Sequence, residues 1–355
     1  MFRLHRRTAR ALLAAAILSL ALIPAPAQQQ PKKPTPPAQE RAPAGDDDDD
    51  VVRVDADLAT VLLTAVDKDR HFVTTLRRED VRVVEDNVAQ ELSVFDRETE
   101  LPLTFAILVD TSRSQQRTLP QEKTAALAFI NSFLRPDRDK AALISFTGIA
   151  VLQQGLTSDL KKLREAVERV RVEFPEGAPE CEQSGAGARE LRCHTGVWDA
   201  VWMTVSEVLS QTPEQTRRSI ILLTDGDDTS SMTKKQEAID FAVRHNVIVY
   251  SIGIGDDEKF EVADDALTSV AEKTGGRVFF PTDQASLYVA FEQIQQELRS
   301  QYLLAYRPSN TKRDGNFRQV RVEVVNPELR KQKLQLLYRQ GYYAKATNSP
   351  ASRND

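Results

Sequence analysis

No run of apolar residues beyond residue 27 approaches the roughly 20 needed to cross a bilayer as a helix, so no membrane-spanning helix is expected in the body of the chain. The N-terminus holds something shorter. Arg3, Arg6, Arg7 and Arg10 stand there without an acid, Ala11 to Ile23 is apolar save for Ser19, and Ala25-Pro26-Ala27 follows. That order reads as a secretory signal peptide over residues 1–27, which predicts an exported chain, periplasmic or extracellular, with no transmembrane segment once the leader is removed. An excess of basic residues is also missing. Lysine and arginine number 47 against 52 acids, a net charge of −5 that becomes −9 once residues 1–27, with four arginines and no acid, are gone. Nucleic-acid binding needs a basic face and is disfavoured.

Cysteine is scarce: Cys181 and Cys193 are the two in the chain. A structural zinc wants about four ligands, and only His194 lies nearby. In an exported chain the pair reads as one disulfide closing a loop, with two free thiols as the plainer alternative. The histidines beyond the leader, His71, His194 and His245, fall at a strand start, in a loop and at a helix end, and no Gly-x-Ser-x-Gly elbow accompanies them. A catalytic triad therefore has no support. Phosphate-binding glycine motifs are absent as well; the nearest run, Gly253-Ile254-Gly255-Asp256, stops short of a dinucleotide fingerprint.

What is present divides the chain. Residues 28–50, rich in Gln, Pro and Ala and closed by Asp46 to Asp50, cannot bury enough apolar surface to order themselves and read as a disordered linker. The five aspartates lack the spacing of a calcium loop and read as a solvated charge run. Over residues 51–100, short β-branched runs (VVRVDAD, ATVLLTAV, HFVTTL, VRVVE, VAQELSVF) alternate with polar turns, the pattern of antiparallel strands. Residues 301–345 repeat it in Tyr302 to Tyr306, Phe317 to Val325 and Leu334 to Tyr338. Either end alone is small for a core, so the two are expected to pair into one antiparallel β-sandwich of immunoglobulin size, with residues 346–355 a disordered tail.

Between them, residues 101–300 alternate apolar strands with amphipathic helices, which predicts a doubly wound, mostly parallel α/β sheet inserted in that sandwich. Helices are expected near Gln121 to Phe133, Asp159 to Val170, Trp198 to Ser210, Lys235 to His245, Ala263 to Thr274 and Ser286 to Leu298. Ligands of such sheets sit at the carboxyl ends of the strands, where strand order switches. Chemistry gathers there. The strand Phe105 to Val109 runs into Asp110-Thr111-Ser112-Arg113-Ser114, and the strand Ser219 to Leu223 ends in Thr224-Asp225-Gly226. Between them Thr195 precedes the helix that starts Gly196-Val197-Trp198-Asp199.

These three segments resemble the von Willebrand factor type A domain, whose metal-ion-dependent adhesion site reads Asp-x-Ser-x-Ser, a distant Thr, and an Asp after a buried strand. The resemblance implies Asp110, Ser112, Ser114, Thr195 and Asp225 as metal ligands. This chain has Cys193-His194-Thr195 where the family often has Gly-Gly-Thr, and Thr157, in Gly155-Leu156-Thr157, is the rival for the third position. The layout as a whole also resembles exported type A proteins of acidobacteria. Oxygen donors of this kind suit magnesium, with manganese or calcium as alternatives. Two aspartates about balance a divalent charge, and the resemblance implies that the ion then takes an Asp or Glu carboxylate from a protein partner, by replacing a water. In the family that exchange can shift the last helix, here near Ser286 to Leu298.

Two other readings stand beside this one. A magnesium-dependent phosphate-ester hydrolase of the haloacid dehalogenase type would need a second Asp two residues after Asp110, and Ser112 stands there; the expected function is therefore non-enzymatic. A scaffold whose metal only stiffens the loops needs the same five residues as an adhesion module. His194 reads as a surface loop residue, Asp227 and Asp228 as either supporting groups or turn acids, and Trp198 with Trp202 as core packing of their helix.

Overall fold

The computed structural model describes residues 58–97, 101–173, 195–213, 216–255 and 260–346, without the side chains of 260–263. The signal peptide, the linker, Cys181, Cys193, His194 and the tail from 347 onward lie outside the described residues. The chain begins with β1 (Ala59–Val66), β2 (Val81–Glu85), β3 (Val88–Gln90) and β4 (Leu92–Arg97). It continues through β5 (Leu103–Asp110), α1 (Leu119–Phe133), β6 (Lys140–Phe146), β7 (Ala150–Thr157), α2 (Leu160–Arg169) and α3 (Val197–Met203). Then come β8 (Arg217–Thr224), α4 (Lys235–Arg244), β9 (Val247–Gly253), α5 (Phe260–Thr274), β10 (Val278–Phe279) and α6 (Gln284–Arg299). It closes with β11 (Tyr302–Tyr306), β12 (Phe317–Val324), α7 (Pro327–Lys331), β13 (Gln335–Leu337) and β14 (Gly341–Tyr343).

The central sheet has the order β10-β9-β8-β5-β6-β7, parallel throughout except for β7. Every residue of β5, β8 and β9 is buried, as expected of a sheet covered on both faces. Alternate residues of β5 part company. Phe105, Ile107 and Val109 join the core under α1, α2 and α6; Ala106 and Leu108 join the one under α3 and α4. Chain order leaves β5 for β6 on one side and resumes with β8 on the other, so the switch in strand order falls between β5 and β8.

The flanking strands form two four-stranded antiparallel sheets, β13-β1-β11-β4 and β14-β12-β2-β3. Val61 and Leu63 of β1, Val83 of β2, Leu304 of β11 and Val320 of β12 meet in one core. The α/β sheet is thus inserted between strands of a sandwich, as its sequence pattern predicts.

Several local expectations differ. HFVTTL makes no strand beyond an isolated bridge of Phe72 to Val66. The hydroxyl of Tyr302 enters this segment instead, accepting from Leu76 N (3.0 Å) and donating to Val73 O (3.1 Å), and takes the place of a ladder. VAQELSVF is two strands, because β3 pairs with β2 while β4 crosses to β11 in the other sheet. β7, with polar Gln153 and Gln154 in its middle, shows no period in the sequence and pairs antiparallel to β6 with register shifts. The helix expected to run on to Ser210 passes into a π-helical turn over Thr204–Leu209. Trp198 is core, but Trp202 is 38% exposed and stacks on Phe241, ring centroids 5.1 Å apart.

Candidate functional site

β5 delivers Asp110 to the switch point with its side chain wholly buried. Its Oδ1 accepts from Ser112 N (2.8 Å), which turns the chain back over the carboxylate, and its Oδ2 accepts from the Thr224 hydroxyl (2.7 Å). The Ser112 and Ser114 hydroxyls lie 3.0 Å apart, Ser114 on the solvent side. Thr224 ends β8, so Asp225 stands directly beyond it. Gly226 then takes φ +84°, a left-handed conformation that favours glycine, and its N–H returns to the Thr224 hydroxyl (3.1 Å). Burial, and next the charge of Asp225, push the Asp110 carboxyl up to about 7, against the hydrogen bonds from Thr224 and Ser112.

Thr195 is buried at the same rim. Its carbonyl accepts from Thr229 N (2.8 Å) and Ser230 N (3.1 Å), and its own N–H donates to the Thr229 hydroxyl (2.8 Å). On the other side Gly196 N donates to Thr147 O (2.7 Å), one residue past Phe146, which pairs with Asp110. Thr195 is therefore clamped between the end of β6 and the loop after β8. Thr157 is elsewhere: it pairs with Ala141 near the start of β6, about 16 Å along the strand from Phe146 at the usual rise. Asp228 is a brace, its Oδ1 accepting from Val197 N (2.8 Å) and the Ser231 hydroxyl (2.5 Å). Asp227 is exposed, and its N–H donates to Asp225 Oδ1 (3.2 Å).

Some groups at the rim escape motif reasoning. Thr224 holds Asp110, and Asp199 fixes the loop after β8 by accepting from Met232 N (2.9 Å) and Thr233 N (2.8 Å). Gln115 is buried and donates to Ile254 O (3.2 Å), which ties the Asp-x-Ser-x-Ser loop to the end of β9. Glu122 of α1 is buried on the sheet side of its helix. Its signal is present in the sequence: with Leu119, Ala125 and Ala126 it shares one helical stripe, and an acid on an apolar stripe is out of pattern.

The donor set suits a divalent cation. A buried carboxylate, Asp110, and a half-buried one, Asp225, act on each other beside the hydroxyls of Ser112, Ser114 and Thr195, and hard oxygens of both kinds ligate magnesium, manganese or calcium. Asp67, Asp69 and His71 also bring ligand atoms within 4.8 Å of one another, but Asp67 Oδ1 already closes that turn by accepting from Asp69 N and His71 N, each 2.8 Å.

Two models of the von Willebrand factor type A domain match the chain, one over residues 105–228 and one over residues 190–297. An uncharacterized protein of Borreliella burgdorferi is 28% identical over 143 residues, 35% of this chain and 37% of its own length; the chain thus spans little more than a third of that relative. Among solved structures, proximal thread matrix protein 1 from the mussel byssus, with a zinc-occupied MIDAS motif, is 18% identical with a TM-score of 0.44, covering 60% of this chain and 49% of that one. A von Willebrand factor type A protein from Catenulispora acidiphila is 16% identical with a TM-score of 0.43, covering 83% and 74%. BatB from Bacteroides thetaiotaomicron is 18% identical with a TM-score of 0.41, covering 55% and 98%.

Proposed function

Because the chain belongs to the von Willebrand factor type A family, we propose that it is a non-enzymatic protein-binding module for adhesion or assembly, dependent on a divalent cation held by Asp110, Ser112, Ser114, Thr195 and Asp225. The observation that carries this reading is the buried Asp110, fixed by Thr224 and Ser112 at the strand-order switch with the charge of Asp225 beside it. Two acids so placed repel each other, and a cation between them relieves the repulsion. A bound cation supplies a positive centre for one external carboxylate, an Asp or Glu side chain of a partner protein. Magnesium is the proposed ion, with manganese and calcium as alternatives, and an exported location is part of the same proposal, resting on residues 1–27.

The braces fit this role. Gln115, Asp199 and Asp228 fix the loops from which the donors project, so little ordering is left to be done when an ion and a partner arrive. Peptides carrying a single Asp or Glu are expected to bind the full chain in magnesium and to be lost on chelation or in the D110A/S112A variant, measured by fluorescence anisotropy. Binding that survives both treatments overturns the reading in favour of a metal-stiffened scaffold. Turnover of a phosphate ester that depends on Asp110 would overturn it in favour of a hydrolase.

A further inference from the structure

The first turn of α1 brings an acid inward where the rest of that face buries carbon. Leu119, Ala125, Ala126 and Phe129 surround Glu122 on the helical stripe packed against the sheet, and Glu122 is 1% exposed. Among the described residues neither of its carboxyl oxygens has a hydrogen-bond partner. The Thr118 hydroxyl beside it donates to Gln115, to Oε1 at 2.9 Å and to the main-chain oxygen at 3.3 Å. A buried polar group left in this state is costly even when neutral, and a leucine at this position would avoid the cost. Burial raises its carboxyl to about 8; the Thr118 hydroxyl nearby favours its charged form, and Asp110 and Asp225, acids both, act against it. Three carboxyl groups thus act on one another where β5 and β8 end and α1 begins, and Glu122 has two acceptor oxygens without a partner among the described residues.

We propose that Glu122 is a third carboxylate of the cation site, positioned behind Asp110 and Asp225 so that its oxygens accept hydrogen bonds from water held by the bound ion and its charge adds to theirs. This rests on the reading of Asp110 and its neighbours as a divalent-cation site. Glu122 then acts through water rather than as a direct ligand, and its charge takes the site from about neutral to net negative with the ion in place. Affinity for the cation rises as a result. The pull on a partner's carboxylate is tempered, so the site holds its ion firmly and its partner reversibly.

Calorimetric titration of magnesium and manganese into the chelator-stripped full chain tests this, with E122Q and the apolar near-isostere E122M beside the wild type, and thermal melting in excess chelator as the second readout. Both variants are expected to bind magnesium about tenfold more weakly while their melting temperatures in chelator stay level or rise, since an unanswered buried acid has been removed. Affinity within twofold of the wild type overturns the assignment. So does a weaker affinity accompanied by a fall in the chelated melting temperature, or failure of both variants to fold, because either outcome makes Glu122 a packing residue. A wild type that binds neither ion overturns the cation site itself; a wild type that binds beside variants that bind equally well overturns the role of Glu122 alone.

Discussion

Glu122 on α1 and Glu297 on α6 are both buried acids beneath helices on the same face of the same sheet, and the fold treats them in opposite ways. Glu297 is answered at one oxygen and charge-paired at the other: the Tyr250 hydroxyl donates to its Oε1 (3.0 Å), and Arg277 Nε stands 3.6 Å from its Oε2, which makes no hydrogen bond among the described residues. Arg217 binds nearby, donating to Leu298 O (2.6 Å). Among the described residues Glu122 makes no such bond: the Thr118 hydroxyl beside it donates to Gln115, and two further acids act on it. A buried charge with partners is part of the architecture, and its removal disturbs only the fold. When the chain supplies no partner, the charge points to something from outside.

Removing the near half of the site should show this most plainly. The D110A/S112A variant is expected to lose magnesium and manganese binding altogether, measured by calorimetry, and to keep its melting temperature in chelator; retained binding would mean that the rim is not the cation site. Next in size, E297A leaves the buried Tyr250 hydroxyl without its acceptor and removes the acid beside Arg277, which keeps Gln293, and should cost about 1–3 kcal/mol in urea unfolding, with cation affinity unchanged. A loss of cation binding in a folded E297A protein would erase the distinction between the two acids.

The pH dependence is a smaller effect and has a defined sign. Burial raises the carboxyls of Asp110 to about 7, Glu122 to about 8 and Glu297 to about 7, all above the 3.8 and 4.5 of the unfolded chain. The folded protein therefore holds protons that the unfolded one has released. Their contribution to stability is present below about pH 4 and is lost as pH rises through 7 and 8, at no more than about 1.4 kcal/mol per pH unit for each group. In chelator, the melting temperature is expected to fall between pH 5.5 and about 8.5; saturating magnesium should flatten the decline, and a flat profile in chelator would contradict the crowding of acids at the rim. Smallest is the pair T195V and T157V. The first should weaken magnesium binding about tenfold, the second not at all, and the reverse result would restore Thr157 as the loop donor.

Much of the fold and of the rim is legible in the amino-acid pattern. Alternating strands and helices specify the parallel sheet, and the two β-rich ends specify the sandwich around it, because burial on one or both faces is written directly in hydrophobic period. Asp110, Ser112, Ser114 and Asp225 can be named because they follow strands whose ends the pattern locates. β7 is invisible to such reasoning, since a half-exposed edge strand with Gln153 and Gln154 in its middle has no period to read. The choice between Thr195 and Thr157 is open at that level too, for a single threonine in a loop carries no sign of which end of a sheet it will reach.

The sequence by itself therefore determined which residues can build a parallel sheet and which acids and hydroxyls follow its strands, since both are local consequences of side-chain period and type. Only the tertiary structure decided that Thr224 holds Asp110, that Thr195 is clamped between β6 and the loop after β8, and that Glu297 meets Tyr250 while Glu122 makes no hydrogen bond among the described residues. Each of those facts joins residues far apart along the chain, and whether a buried polar group finds a partner is settled only when the elements around it pack.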